Sequence, residues 1–392
     1  MYAAAPMSER PYEIALLGAT GFTGRLCARY LAAHAPKEVR WVLAGRDTRR
    51  LEEIRRSLEA EPCPPRAVVR ADVGEPSTLA RLAADARVIQ TTVGPYARYG
   101  LPVVEAAVAE GADYVDITGE PAFVSSSIER FHATAESKGL RIVHCCGFDS
   151  IPHDLGAQMT AELLPNEGPM KIEAFIRSRG NVSGGTWHSA LNAMGEGRRA
   201  TTRLPRPVVA GRTAKGLPKR IRYVSELGAW AVPLPTIDPE IVLRSALACP
   251  EFGTDFRYGH YARVQRFATV AGGLAFIGGV VLLAQAKPTR DLLLRARAPG
   301  EGPSEEKRKR GWFEVTFIGE AGGKRVVTSV SGGEPGYDET SKMVSESALC
   351  LALDRARLPA RAGVLTTATA MGKVLRERLV RAGMRFHVKE SA

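Results

Sequence analysis

The stretch GATGFTG carries three glycines, at positions 18, 21 and 24, that could hold a phosphate-bearing ligand. One glycine lets the backbone bend sharply, a second lets a pyrophosphate approach the main chain, and a third lets the next helix pack on the preceding strand. The first turn of that helix offers free N–H groups to the anion. We therefore predict a dinucleotide site made by Gly18, Thr20, Gly21, Phe22, Thr23 and Gly24.

The second candidate strand ends with Gly45, Arg46 and Asp47. In dinucleotide-binding folds an acid at this place accepts a hydrogen bond from the ribose 2′-hydroxyl of NAD, whereas an arginine accommodates the 2′-phosphate of NADP. Because Arg46 comes first, NADPH is the favoured cofactor. Asp47 could instead bind the ribose of NADH, or it could cap the following helix. Asp72, at the end of the third strand, could lie beside the adenine or cap a turn.

The fourth candidate strand ends in TTVGPYARYG (91–100), where the chain must turn beside the expected nicotinamide ribose. A tyrosine can donate a proton and an arginine can hold a carboxylate or phosphate. Tyr96 is accordingly a candidate catalytic acid, with Arg98 and Tyr99 beside it; an ordinary turn with exposed polar residues is the alternative. The predicted cofactor contacts in this turn are Val93, Gly94 and Pro95.

Four polar residues follow the sixth candidate strand in CCGFDSIPHDLG (145–156). Asp149 and Ser150 are predicted to shape the catalytic site, and either could cap the next helix. His153 is a possible proton donor near neutral pH, which Asp149 could orient. The chain has no nucleophile elbow, so we do not predict a Ser–His–Asp triad.

The elements that must position these residues alternate between short apolar runs and helical patterns. The candidate strands are 12–17, 39–45, 66–72, 87–93, 113–118 and 140–146, and the candidate helices begin near Phe22, Thr48, Ser77, Leu101 and Pro121. Such alternation predicts an α/β fold with a doubly wound, parallel, Rossmann-type sheet.

Longer candidate strands at 171–179, 311–321 and 324–332 predict a second, α+β substrate domain, with a hairpin at 321–323. The predicted boundaries are 8–150 for the cofactor domain, 151–335 for the substrate domain, and 336–392 for C-terminal helices that pack back on the first domain. Those helices are expected at 338–354 and 368–381. Ser183–Thr186 and His188 lie near a further helix start that could hold an acyl carbonyl or phosphate.

The composition is that of a globular protein, with 392 residues and a net charge of +12. Six cysteines without a CxxC pair or metal-ligand spacing indicate a reduced, cytoplasmic chain and no metal site, with adjacent Cys145 and Cys146 packed in a crowded place. Nine basic residues and no acid between 197 and 225 predict an exposed basic loop that suits an acidic partner. Nucleic acid is not predicted, because no nucleic-acid module accompanies the charge.

Residues 267–286 form a run of 20 residues without a charged side chain. Such a run could be a buried or interface helix, could touch a lipid surface, or could just span a membrane. Peripheral membrane contact is therefore a further prediction.

Several motifs together resemble the saccharopine dehydrogenase-like oxidoreductases, especially their bacterial trans-acting enoyl reductase branch. They are GATGFTG, AGRD, TTVGPYARYG, YVDITGEP, CGFDSIPHDLG and SGGT, followed by PGEGPSEEKRKRG, EPGYDETSKM and ALDRARLPARAGVLTTATAMG. The resemblance implies an NADP-binding fold with an inserted substrate domain. It also implies reduction of a C=C bond in a chain that grows on a polyketide synthase. Some members of the family are associated with lipid surfaces. The glycines and Arg46 carry over; no catalytic residue does, and His153 stands where a smaller residue such as serine is expected.

We therefore expect an NADPH-dependent reductase of an α,β-unsaturated acyl thioester in lipid or polyketide synthesis. The substrate would be acyl or lipid-like and could be attached to an acidic carrier protein. The oligomeric state stays open. A saccharopine-like imine or secondary-amine oxidoreductase is one alternative, for which Arg98 is the candidate carboxylate clamp. A non-catalytic lipid-surface protein is the other.

Overall fold

The computed structural model describes residues 10–179, 203–270, 272, 273, 289 and 302–391, which form two sheets with helices packed on them. The described strands are β1 (Tyr12–Leu17), β2 (Trp41–Gly45), β3 (Ala67–Arg70), β4 (Ala86–Thr91), β5 (Asp113–Asp116), β6 (Arg141–Val143), β7 (Pro169–Arg179), β8 (Thr213–Gly216), β9 (Arg222–Val224), β10 (Ala229–Pro233), β11 (Asp255–Val264), β12 (Trp312–Ala321), β13 (Lys324–Gly332), β14 (Gly363–Leu365) and β15 (Arg385–Ser391). The described α-helices are α1 (Phe22–His34), α2 (Thr48–Ser57), α3 (Pro76–Asp85), α4 (Tyr96–Glu110), α5 (Pro121–Ser137), α6 (Ile151–Glu162), α7 (Asp238–Ala248), α8 (Glu305–Lys309), α9 (Thr340–Leu353), α10 (Thr367–Ala370) and α11 (Gly372–Arg381).

The first sheet has the strand order β14-β6-β5-β4-β1-β2-β3, and all its neighbouring strands are parallel. Its central strands are buried on both faces, which explains the continuous apolar run at 14–17. The order reverses between β1 and β4, and ligands of such sheets bind at the carboxyl ends of the strands beside that reversal. The predicted doubly wound Rossmann-type sheet is confirmed, with β14 as an additional strand.

The second sheet is mixed and confirms the predicted α+β part of the fold. Its order is β15-β13-β12-β7-β11-β10-β9, and β8 pairs with the first half of β11. The predicted hairpin joins β12 to β13 through Gly322 and Gly323, whose φ angles of +56° and +79° favour glycine. Helix α6 connects the two sheets, because it follows β6 and packs on β12 and β13.

The stretch 197–225, predicted to be an exposed loop, contains β8 and β9 in its described part. Arg206 pairs with Glu240 at 3.0 Å, and Arg222 forms an ion pair with Glu173. The loop prediction is therefore wrong for β8 and β9, whereas residues 203–209 and 217–221 have no regular secondary structure. The two ion pairs neutralise part of the positive charge within the fold.

The C-terminal region contributes to both sheets. Helix α9 packs on α1 and on β4 and β5, β14 extends the first sheet, and β15 extends the second. The single helix predicted at 368–381 is interrupted, since Gly372 has a φ of +45°. The boundaries 8–150, 151–335 and 336–392 stay a prediction.

Two predicted segments fall largely outside the described residues. Ser183–Thr186 and His188 lie in the gap between 179 and 203, and only six residues of 267–286 are described. Among the helices that the structure describes, none has the length and apolar character needed to cross a membrane.

Candidate cofactor and active site

The turn between β1 and α1 has the close backbone contacts that its glycines allow. Gly18 has a φ of +94°, which strains any residue with a side chain. A Cβ on Gly24 would lie 2.2 Å from the carbonyl oxygen of Gly18, so only glycine fits where α1 crosses β1. A Cβ on Gly21 would find its nearest atom at 3.4 Å, which leaves this position open towards a ligand.

The N-terminus of α1 is available to an anion. Its N-cap residue is Gly21, with no side chain to cap the first turn, and that turn contains no acidic residue. Free N–H groups and the helix dipole therefore favour a phosphate at this point. The turn and the helix terminus together fit the pyrophosphate of a dinucleotide.

A second cationic feature lies beside this turn, at the end of β2. An open cavity of about 600 Å³ is lined by Thr20, Arg46, Asp47, Thr48, Arg49 and Arg50. The Asp47 carboxylate accepts a hydrogen bond from the Arg50 backbone N–H at 3.0 Å, which confirms that Asp47 caps α2. Because Asp47 is engaged and the arginines line the cavity, the site suits a 2′-phosphate better than a bare ribose.

We expect Arg46→Ala to weaken NADPH binding by about 10- to 100-fold, the loss typical of a charged hydrogen bond to phosphate. NADH affinity should change less than about twofold, since NADH has no 2′-phosphate. Fluorescence titration with both cofactors measures the two effects. Arg130→Ala, which removes a guanidinium paired with Glu105 on distant helices, is the control. Equal loss for NADPH and NADH would contradict the assignment of Arg46.

The turn after β4 lies against the glycine turn. A Cβ on Gly18 would be 2.7 Å from Cγ2 of Val93, and the Thr92 hydroxyl donates to the Gly18 carbonyl at 3.3 Å. The predicted contacts Val93, Gly94 and Pro95 are thus brought to the reversal point of the sheet, and their cofactor role stays a prediction.

Two other predicted cofactor residues have protein partners of their own. Asp72 accepts a hydrogen bond from the Gly74 N–H at 2.9 Å, so the turn-capping alternative describes its contact. The Phe22 ring packs edge-on against Tyr337 at 4.9 Å and lies under the Arg308 guanidinium at 5.5 Å. Arg308 and Tyr337 therefore pack against the side chain at the start of α1.

Tyr96 does not project into the crevice as the sequence suggested. It begins α4, is 6% exposed, and stacks on Phe123. Its hydroxyl donates to the Thr91 carbonyl at 3.1 Å and accepts from the Ile117 N–H at 3.4 Å. Burial raises the pKa of Tyr96 well above its ordinary value. These contacts favour a structural function for the phenol over proton donation.

Sequence reasoning missed Glu120, which caps α4 from the loop after β5. Its carboxylate oxygens accept hydrogen bonds from the backbone N–H groups of Tyr96 at 3.0 Å and Ala97 at 2.8 Å. A glutamate in the YVDITGEP motif was the available signal. By holding the start of α4, Glu120 positions the turn at Gly94.

A second missed group is the buried pair of Asp116 and His144, whose Oδ2 and Nδ1 atoms are 2.6 Å apart. Oδ1 of Asp116 accepts from the N–H groups of Thr118 at 3.0 Å and Cys145 at 3.1 Å. The pair thus ties the loops after β5 and β6 together. Cys145 and Cys146 are buried free thiols, as their packing interpretation predicted.

Asp149 lies at this edge of the sheet, and its pKa is raised. It is partly exposed, and its Oδ2 would be 3.3 Å from a Cβ on Gly119 in the loop after β5. Burial, followed by repulsion from Asp238, raises the pKa of Asp149 to about 7, against the opposing effect of His153. A carboxyl group that is protonated near neutral pH is suited to act as a general acid.

Ser150 is the N-cap of α6 but does not cap it through its side chain. Its hydroxyl donates to the Asp149 carbonyl at 2.6 Å, and the Ile151 N–H bonds to the Gly147 carbonyl. Of the two predicted caps, Ser150 is the N-cap residue by position, but the backbone rather than its side chain makes the turn. Asp154 lies away from this edge and accepts hydrogen bonds from Thr367 and Ala368.

His153 points to partners that lie far away in the sequence. Its Nδ1 is 2.7 Å from Oδ1 of Asp238, and the ring packs edge-on against His260 at 4.9 Å. Burial lowers the pKa of His260 to about 3. At Asp238 burial acts to raise the pKa, but the neighbouring imidazoles of His153 and His260 outweigh it and keep the pKa of Asp238 below its ordinary value.

A parallel sheet with a reversal point, a glycine turn against a helix N-terminus and an arginine-lined cavity define a Rossmann-type dinucleotide-binding protein. The family model described as "Saccharopine dehydrogenase NADP binding domain" matches residues 14–143. Apo saccharopine dehydrogenase (L-Glu forming) of Saccharomyces cerevisiae has the same fold, with a TM-score of 0.54 and 14% identity over 97% of this chain and 100% of that chain.

Relatives match along nearly the whole length. A trans-acting enoyl reductase of Mycobacterium ulcerans is 35% identical, and one of Mycobacterium bovis is 36% identical, each over 96% of this chain and 97% of its own. A Mycobacterium tuberculosis protein, named provisionally for the same activity, is 38% identical over the same shares. The chain therefore belongs to the trans-acting enoyl reductase branch of the saccharopine dehydrogenase-like oxidoreductases. It is an NADP-binding oxidoreductase, and NADPH is its cofactor.

Proposed function

We propose that this protein reduces the C=C bond of an α,β-unsaturated acyl thioester in polyketide or lipid biosynthesis. The observation that carries the proposal is the match to relatives named trans-acting enoyl reductases over 96% of the chain. A trans-acting reductase works on a substrate that a separate protein presents. The proposal therefore includes an acyl or lipid-like substrate held on an acidic carrier protein.

Bound NADPH supplies the hydride, which such a reduction adds to the β-carbon of the substrate. The protein must then stabilise negative charge on the thioester oxygen and deliver a proton to the α-carbon. We propose Asp149 as the proton donor, because it is partly exposed and its pKa is raised to about 7. We propose that Ser150 helps to position Asp149, because its hydroxyl donates a hydrogen bond to the backbone carbonyl of Asp149.

Tyr96 is the rival proton donor, and Tyr96→Phe distinguishes the two. We expect the variant to keep its reductase kcat within about tenfold, because its phenol is buried. Loss of the hydrogen bond to Thr91 should lower the free energy of unfolding by about 1–2 kcal/mol. Steady-state kinetics and urea unfolding measure both. A general acid typically contributes ~10²–10⁴-fold to the rate. A loss of 100-fold or more in kcat would therefore show that Tyr96 is the proton donor.

The substrate class is tested by following NADPH oxidation with a 2-enoyl pantetheine thioester. The matched saturated thioester is the control, and an amine mixed with a 2-oxo acid tests the imine alternative. Turnover of the enoyl thioester alone supports the proposal. Turnover of the amine mixture alone would establish the saccharopine-like alternative. In that case the candidate carboxylate clamp is Arg98, which is exposed and lies over the Tyr99 ring at 5.1 Å.

Peripheral lipid contact through 267–286 is a separate part of the proposal. Phe267, at the start of this run, is 57% exposed. Sedimentation with anionic vesicles, on the full chain and on a 267–286 deletion, tests it. Binding that survives the deletion contradicts this contact, and binding without any NADPH oxidation favours the non-catalytic alternative.

A further inference from the structure

Three buried side chains that the cofactor site does not use meet between the two sheets. His153 lies in the first turn of α6, Asp238 begins α7, and His260 lies in the middle of β11. They are only 1%, 2% and 5% exposed. One potential donor atom from each side chain lies within 4.8 Å of the other two.

Hydrogen bonds do not account for this cluster. His153 Nδ1 and Asp238 Oδ1 are 2.7 Å apart, and His260 Nε2 is 3.5 Å from Asp238 Oδ2. Yet within the described part of the chain both ring nitrogens of His153, Oδ1 of Asp238 and Nε2 of His260 lack a well-directed hydrogen bond. Buried polar atoms without a partner are costly, so atoms that approach without pointing at one another suggest a common third partner.

A neighbouring side chain orients one of the donors. The Tyr258 hydroxyl lies 3.4 Å from His260 Nδ1, which leaves Nε2 turned towards the cluster. Histidine ligands of metal ions typically have such an outer hydrogen bond, which fixes the ring.

We propose that His153, Asp238 and His260 bind a divalent transition-metal ion of the zinc type. Two imidazoles and a carboxylate are a donor set that Zn²⁺ accepts. Bonds of about 2.0–2.2 Å in a tetrahedral site place neighbouring donors roughly 3.3 Å apart, so small rotations from the present separations would complete three ligands.

The ion has a structural function in this proposal. Its ligands come from α6, α7 and β11, so it joins the helix that follows Asp149 to the second sheet. Because all three ligands are on regular elements, the site would be held rigidly. Binding should therefore raise the thermal stability of the whole protein.

The first test is the metal content of tag-free, full-length protein, before and after dialysis against Zn²⁺ and removal of free ion. We expect about one Zn²⁺ per chain, a raised Tm, and visible absorption of a four-coordinate site when Co²⁺ replaces Zn²⁺. Less than about 0.1 equivalent after dialysis would overturn the proposal and leave the cluster as an internal ion pair.

Variants locate the ion. Asp238→Asn and His260→Gln, which keep nearly the same shape, should each lower Zn²⁺ affinity by about 100-fold or more and abolish the Co²⁺ spectrum. His34→Ser, which removes an exposed imidazole from α1, should change neither. Circular dichroism checks that each variant is folded. Zinc retained at wild-type affinity by folded Asp238→Asn and His260→Gln would overturn the assignment; if neither folds, the wild-type content and Co²⁺ spectrum decide it.

Discussion

Asp149→Asn lowers the kcat for enoyl reduction by about 10²–10⁴-fold, the contribution typical of a general acid, while the Kd for NADPH changes less than about twofold. The amide keeps the shape of the carboxyl group but cannot donate the proton. Stopped-flow NADPH oxidation and cofactor titration measure the two quantities. Asp255→Asn, at a carboxylate that accepts a hydrogen bond from the Thr213 hydroxyl on the second sheet, is the matched control.

The pH dependence gives a second readout for the same residue. The folded-state pKa of Asp149 is about 7, above its ordinary value of 3.8, so the folded protein holds this proton more tightly than the unfolded chain. Stability from this group is present below about pH 4 and is lost as pH rises from there to about 7. The wild-type rate should fall above pH 7 as the acid loses its proton.

Asp149→Asn should remove this pH-dependent loss, so that the variant gains stability relative to wild type between pH 4 and pH 8 while it loses activity. The profiles are recorded on chelator-treated protein, because a cation at His153, Asp238 and His260 would lower the pKa of the nearby carboxyl group. Wild-type kcat in the variant, or the same pH profile, would exclude Asp149 as the donor.

Gly24→Ala destabilises the fold at the start of α1 and weakens cofactor binding there. Its methyl group would lie 2.2 Å from the Gly18 carbonyl oxygen and 2.9 Å from the Ala19 Cα, which are backbone atoms that cannot rotate away. We expect a loss of about 3 kcal/mol or more in the free energy of unfolding, above the usual cost of overpacking. Urea unfolding and NADPH titration of the full chain measure the effect.

Gly21→Ala is the matched control for this prediction, because its Cβ would have 3.4 Å of clearance from the protein. We expect wild-type stability but at least tenfold weaker NADPH binding, since the added methyl group occupies the space that the pyrophosphate approaches. Equal destabilisation of both variants would contradict the distinct contacts of the two glycines.

Local signals were sufficient for strands β1 to β6 of the first sheet. Strands β1 and β2 are apolar because both faces are buried, and the glycine turn is a contiguous motif, so the cofactor site could be placed from the sequence. Strand β14 was missed because it is only three residues, GVL, and exists through pairing with β6, more than two hundred positions earlier. Helix α7 was also missed, although Asp238 and a following proline mark its start.

The catalytic and ion-binding parts were harder, since their environment comes from several elements. Nothing in the sequence near Tyr96 indicates that its hydroxyl turns back to Thr91. The partners of His153 lie in α7 and β11, and no spacing rule relates position 153 to positions 238 and 260. Burial, which sets the pKa of Asp149, is likewise a property of the assembled fold.

Strands β14 and β15 have a consequence for how the chain is made on the ribosome. Residues 363–365 complete the edge of the first sheet at β6, and residues 385–391 complete the edge of the second at β13. At a synthesis rate of roughly 5–20 residues per second, β6 emerges tens of seconds before its partner. For that time its edge is unpaired and open to other nascent chains, so we expect the yield of active protein to depend on chaperones and to fall when translation is slowed.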